Sequence, residues 1–339
     1  MRWVLGSVVV LALTPSAFAQ DLSILRGSQS VGPATFTRWS GFYFGGQFGL
    51  SNGNADFSKS TDSVVAYALR EAEEAGATEV CLQGGIHPKF DGDYYLEVIR
   101  AVRAATDRIH IHAFTALEVT EGAKRLDEPL VDYLRRLQEA GLATLPGTAA
   151  EILDDEVRAV LCPDKISTEE WLEAHRTAHS IGLRSNVTIM FGAVEHPRSW
   201  ARHIVRTRDL QRETGGFTEF VPLPFVHMAT PLYLQRRARR GPTFREALLM
   251  HAVGRIAYHG AIDNIQVSWV KMGAVGASQL LRAGVNDLGG TLMDENISRA
   301  AGASHGQFMG EEEFRAVVEP LGRRLEQRTT LYGRVPAPC

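Results

Sequence analysis

The sequence predicts an α/β fold: an incomplete TIM-like (β/α) barrel with seven recognisable parallel strands and a first strand missing or substituted. Three observations predict it. From residue 60 onward, short apolar runs alternate with amphipathic helical segments. The strand starts lie roughly 20–50 residues apart with a helix in each gap, which is crossover spacing rather than hairpin spacing. Polar or glycine-rich segments follow several strands, where chemistry gathers when right-handed crossovers curl a sheet into a barrel.

The elements follow in order. Residues 63–76 read as an amphipathic helix ending on Gly76, and 78–82 as a short strand running into Gly84 and Gly85. A helix over 94–106 leads to a strand at 109–114, and a helix over 129–140, stopped by Gly141, leads to a strand at 142–145. Ser167 and Glu170 form a capping box before a helix over 171–181, which Gly182 ends. Strands follow at 185–191, 218–223, 265–271 and 287–292, separated by helices near 197–213, 243–258 and 275–283. The strand that would precede the first helix is absent from this pattern. Residues 39–50 carry enough β-forming aromatics to act as a surrogate, so a C-shaped or poorly closed barrel is expected.

Composition narrows the function. Of 339 residues, 45% are hydrophobic and 22% charged, which excludes a disordered or fibrous chain. A net charge of -3 leaves no basic stripe, so no nucleic acid partner is expected. Cys81, Cys162 and Cys339 are far apart, and they build neither a disulfide framework nor a C-x-x-C knuckle.

The amino-terminal block differs from the rest. Residues 1–59 carry only Arg2, Asp21, Arg26, Arg38, Asp56 and Lys59 as charged residues, against 36 Lys and Arg and 39 Asp and Glu in the whole chain. Arg2, an apolar run over 4–13 and Ala17-Phe18-Ala19 have the order of a signal peptide, which predicts cleavage after Ala19 and export. Residues 39–54 resemble the first strand of small outer-membrane β-barrel porins, though one strand cannot close a membrane barrel. The expected organisation is therefore a signal-like segment over 1–19, a porin-like fragment or linker over 20–59, a barrel with a carboxy-terminal extension over 60–332, and a tail over 333–339.

At the strand ends, Gly84 and Gly85 permit close backbone approach to a ligand, although paired glycines are also common in turns. His110 and His112 alternate with Ile109 and Ile111, so both rings face one side of their strand. Such a pair could bind a divalent metal, but no further ligands have a suitable spacing, and hydrogen-bonded interior histidines are the favoured reading. Arg236, Arg237, Arg239 and Arg240 form a basic run whose default is a solvated helix face, with phosphate contact as the alternative.

Five segments carry a family resemblance: residues 78–88 (TEVCLQGGIHP), 145–153 (LPGTAAEIL), 219–228 (EFVPLPFVHM), 286–293 (NDLGGTLM) and 295–303 (ENISRAAGA). Over residues 64–332 the chain resembles the radical S-adenosylmethionine synthases that make the deazaflavin chromophore of coenzyme F(420), on the side that joins tyrosine to a ribitylaminouracil. The resemblance implies a radical-SAM-type barrel and two cofactors, S-adenosylmethionine and a [4Fe–4S] cluster. It implies transfer of the 4-hydroxybenzyl group of L-tyrosine to 5-amino-6-(D-ribitylamino)uracil, a partner radical-SAM subunit that completes the deazaflavin, and a cytoplasmic setting at odds with the signal-like start. It places Gly84, Gly85, Glu151 and Arg184 at S-adenosylmethionine, and His112, His227, Asn286 and Asp287 at the substrates. The family's C-x-x-x-C-x-x-C cluster loop has no counterpart in this sequence, so the cluster is not expected to bind and the transfer is expected to be inactive. The alternatives are a non-catalytic protein retaining the nucleoside or uracil pocket, and an exported, outer-membrane-associated chimera.

Overall fold

Six parallel strands follow one another in sequence order across a single sheet in the computed structural model. Residues 7–11, 69, 72–73, 76–83, 86–88, 90–292, 297–306 and 308–334 are described. The strands are β1 (Ser7–Leu11), β2 (Ala77–Leu82), β3 (His110–Ala113), β4 (Thr144–Leu145), β5 (Arg184–Phe191) and β6 (Phe217–Pro224). The position expected to be empty is taken by β1, which pairs in parallel with β2 from Val8 opposite Glu79 to Leu11 opposite Leu82. The apolar run assigned to the signal peptide thus supplies the edge strand, because Val8, Val9 and Val10 are β-branched and suit a pleated surface. The proposed surrogate at 39–50 lies outside the described residues, as does most of the helix expected over 63–76; of that helix, Leu69 and Ala72 are described and buried.

Helices α1 (Gly92–Ala105), α2 (Ala116–Arg125), α3 (Leu130–Ala140), α4 (Asp155–Leu161), α5 (Thr168–Ser180) and α6 (Pro197–Thr214) fill the crossovers up to β6. Beyond it come α7 (Pro231–Leu234), α8 (Phe244–Ala257), α9 (Trp269–Leu281), α10 (Ile297–Ala300) and α11 (Glu311–Val318). Alternate strand residues set the core. Val80, Leu82, Ile111 and Ala113 face outward onto Leu96, Ile99 and Val102 of α1 and Tyr133, Leu134 and Leu137 of α3. Val187, Ile189, Phe191 and Phe220 continue that layer with Trp171, Trp200 and Trp269. The capping box at Ser167 and Glu170 is present. Helix α2 was not expected, yet Thr115 and Glu118 build the same reciprocal cap.

The last two expected strands shrink to single bridges, Phe220 with Ile265 and Gln266 with Asp287, both parallel. Alternation over 265–271 reads as a strand, but Ser268 caps α9 and Trp269 turns inward, its indole N–H donating to the Gly290 carbonyl at 2.9 Å. After Asp287, Gly289 at φ 74° and Leu292 at φ 53° leave extended geometry. The sheet order nevertheless continues through both bridges, so eight barrel positions are occupied in sequence.

Candidate active site

The inward strand faces are polar. On β3, His110 Nε2 and His112 Nδ1 share the Thr144 hydroxyl of β4 at 2.8 and 2.7 Å. Burial holds both rings neutral, lowering each pKa to about 4; Glu79 pulls His110 partly back, and Arg328 pushes His112 further down. The pair is a hydrogen-bonded interior element, as the sequence favoured. Among the described residues no group of three His, Cys, Asp or Glu side chains could hold a metal ion.

Toward the amino-terminal ends of the strands the lumen is closed by the chain's own carboxy-terminal segment. Arg328 reaches Asp287 at 2.6 Å and Glu219 at 3.3 Å, and the Tyr332 hydroxyl contacts both carboxylates. Thr330 bonds Glu79 of β2, while Asn186 of β5 and Gln266 donate to Glu219 at 3.1 and 3.0 Å. Burial raises the Glu219 pKa; Arg328 opposes that shift and Asp287 adds to it. The arrangement joins two carboxylates, one guanidinium and one phenol in a closed network.

The carboxy-terminal ends carry a different kind of site. The loop after β4 holds two non-glycine residues at positive φ, Ala149 at 65° and Glu151 at 44°. Backbone strain of this kind persists only where surrounding contacts enforce it. Buried Arg158 supplies them by bonding the carbonyls of Ala149, Ala150 and Ile166, and the Met190 amide of β5 donates to the Glu151 carbonyl at 2.7 Å. Gly147 passes against β5, where an added Cβ would lie 2.2 Å from the Asn186 carbonyl oxygen. Glu151 pairs with Lys165 at 2.5 Å, and that ammonium holds its carboxyl below the usual range. The buried Thr148 hydroxyl, three residues earlier in the same loop, has no hydrogen-bond partner among the described residues.

The expected site residues therefore separate. His112 lines the lumen and Glu151 stands at its carboxy-terminal mouth. His227, in the loop after β6, packs edge-on to Tyr233 with centroids 4.6 Å apart and lines a cavity there. Arg184 opens β5 at the opposite end, bonded to the Gly215 carbonyl at 3.2 Å. Met190, beside Glu151, is six residues further along that strand, roughly 20 Å away at a strand's rise, so Glu151 and Arg184 cannot share one methionyl group. Asn286 accepts from Arg255 at 2.6 Å and from the Ile265 amide at 2.8 Å, and Asp287 belongs to the closed network. Gly84 and Gly85 lie outside the described residues. Sequence reasoning missed Lys165, Arg328 and Tyr332, whose partners are distant in the chain.

A parallel sheet with helical crossovers, a polar lumen and a strained loop at its carboxy-terminal mouth defines a (β/α)-barrel enzyme scaffold. Two family models match the chain: the Radical SAM superfamily over residues 43–205 and the CofH/MqnC C-terminal region over 214–338. It is 47% identical over 277 residues to 5-amino-6-(D-ribitylamino)uracil–L-tyrosine 4-hydroxyphenyl transferase of Methanopyrus kandleri, covering 82% of this chain and 75% of that one. With FO synthase of Nocardia farcinica identity is 51% over 295 residues, 86% of this chain but 34% of that protein. The chain thus spans about a third of the length of the FO synthases it matches. Among solved structures, methylornithine synthase shares the fold at TM-score 0.55 and 17% identity, covering 76% of this chain and 70% of that one. The chain belongs to the radical S-adenosylmethionine superfamily and, within it, to the family of the 5-amino-6-(D-ribitylamino)uracil–tyrosine transferases.

That family implies two cofactors, and the residues present fit them unequally. Glu151 already holds a primary ammonium, that of Lys165, in the same loop as the Thr148 hydroxyl, which has no partner among the described residues, a donor–acceptor set that suits the methionyl end of S-adenosylmethionine. A [4Fe–4S] cluster needs three thiolates. Cys81 and Cys162 are both buried, on β2 and at the end of α4. Burial, followed by Glu79, pushes the Cys81 thiol up to about 12, and burial also raises Cys162. These cysteines do not fit the cluster.

Proposed function

We propose that this chain binds the organic reactants of the deazaflavin-forming transfer, L-tyrosine and 5-amino-6-(D-ribitylamino)uracil, at the carboxy-terminal mouth of the barrel without assembling a cluster of its own. One observation carries the reading: 47% identity across three quarters of the tyrosine transferase persists in a sequence that has no three-cysteine loop. Bound S-adenosylmethionine supplies an adenosyl group in this superfamily. The protein's own contribution is positional. Glu151 takes an ammonium, the neutral His112–Thr144 pair offers a hydrogen bond inside the lumen, and His227 stands at the mouth beside Pro224. Gly84 and Gly85, which follow β2 in the sequence, are proposed S-adenosylmethionine contacts by family position alone. A second radical-SAM subunit is the proposed partner, by the family resemblance alone.

Anaerobic calorimetry with each reactant tests this. Saturable binding of both is expected in the roughly 1 μM–1 mM range usual for substrates, with 5′-deoxyadenosine at background. Failure of both ligands to bind at millimolar concentration would overturn the reading.

A further inference from the structure

The segment that closes the amino-terminal end of the barrel is a tight turn: the Tyr332 amide donates to the Thr329 carbonyl at 3.0 Å, and Arg328 bridges Arg334 in antiparallel fashion. Tyr332 stands at φ 62°, a conformation that a bulky residue keeps only where its surroundings enforce it. Its hydroxyl supplies that hold, lying within hydrogen-bond reach of both Glu219 Oε2 and Asp287 Oδ2. Hydrogen atoms do not balance there if both acids are ionised. A phenol has one proton to donate, and an ionised carboxylate only accepts. One of the two oxygen–oxygen contacts would then set lone pair against lone pair. The neighbouring donors are spent elsewhere: Asn186, Gln266 and Arg328 on Glu219 at 3.1, 3.0 and 3.3 Å, and the Gly289 amide and Arg328 on Asp287, each at 2.6 Å. Two ionised carboxylates against one guanidinium would also leave a net negative charge in a buried site, which is costly.

We propose that Glu219, Tyr332 and Asp287 share one extra proton at neutral pH, and that this proton latches the carboxy-terminal turn over the amino-terminal end of the lumen. With it, the hydrogen bonds run from Glu219 to Tyr332 to Asp287. Burial, then Glu219 and Asp287, push the phenol up, so Tyr332 keeps its own proton and the extra one sits on a carboxyl. Burial also raises Glu219, against Arg328 and with Asp287. Once the extra proton leaves to water, two carboxylates face one phenol, Arg328 neutralises only one of them, and release of the turn relieves the strain at Tyr332. The folded chain thus holds one proton more than the open one, and the latch weakens as pH rises. Other titratable groups lie on the neighbouring strands. Glu79 of β2 bonds Thr330 of the same turn, and His110 and His112 of β3, lowered to about 4, stay neutral throughout an alkaline titration. The inference is independent of the substrates.

Tryptic cleavage of the full chain after Arg328, read by mass spectrometry from pH 7 to pH 9, tests the latch. Each rate is divided by that of a free peptide of the same sequence, which removes the pH dependence of trypsin itself. For the unaltered chain the ratio should rise with pH, by about tenfold per unit where the proton is lost, because opening is linked to one proton. Glu219→Gln, whose amide can donate to the phenol but does not titrate, should give a flat ratio. Isotope-edited infrared spectra of the unaltered chain supply a reading that needs no variant: a carboxylic-acid carbonyl band at pH 7 that fades as the ratio rises. A flat ratio in the unaltered chain would overturn the latch, and absence of the band at pH 7 would overturn the shared proton. A slope that survives in Glu219→Gln would assign the release to another group and overturn the proposal as well.

Discussion

At the amino-terminal end of the barrel, Glu219 and Asp287 meet Arg328 and Tyr332, and the four side chains satisfy one another. At the carboxy-terminal end, the Thr148 hydroxyl has no partner among the described residues, and Ala149 and Glu151 sit at positive φ. The first arrangement leaves nothing for a ligand to do. The second holds strain and unpaired polarity that a ligand can use. The barrel architecture favours stabilising contacts at one end of the strands and recognition at the other.

Breaking the closed end should have the largest effect. Arg328→Met leaves two carboxylates in a buried site without their cation, and a loss of about 3–5 kcal/mol in unfolding free energy is expected from urea denaturation. A loss below about 1 kcal/mol would show that the network is not what closes that end.

Acid should weaken the lumen between the two ends. His110 and His112 bind fewer protons folded than unfolded between their pKa of about 4 and the ordinary 6.5. Stability therefore rises with pH across that window and is lost as pH falls through it, by roughly 1.4 kcal/mol per unit for each fully buried ring. Half-buried His110 contributes less. Thermal melts from pH 7 to pH 4.5 should show the decline, and His112→Asn should flatten it.

At the open end the expected effects are on binding. Glu151→Gln should weaken S-adenosylmethionine about tenfold by equilibrium dialysis, since one charge-assisted hydrogen bond is lost. Lys165→Met should not weaken it, because Lys165 competes for the same carboxylate. Arg184→Gln is the smallest change, less than about twofold, because its strand position puts it at the closed end.

Local signals were legible in the sequence, and long-range ones were not. The Ser167–Glu170 box, the inward pairing of His110 with His112, and five of seven strands depend on residues within a few positions of each other. Thr115 and Glu118 give the same kind of signal, so α2 could have been read. The segment 265–271 misled because its alternation fits a strand while Trp269 finds its place only against Gly290, 21 residues on. Nothing local announces that Arg328 pairs with Asp287, 41 residues back, or with Glu219, 109 back. Arg184 was placed by family position alone, and the length of β5 separates it from Glu151.

On the proposed function, this chain keeps the reactant-binding end of a radical S-adenosylmethionine barrel without the means to hold a cluster. Anaerobic reconstitution with iron and sulfide, followed by iron and sulfide analysis of the desalted full chain, decides the point. Iron far below one cluster per chain, without broad visible absorption, is expected. About four iron atoms and four sulfides per chain, the content of one [4Fe–4S] cluster, would contradict it.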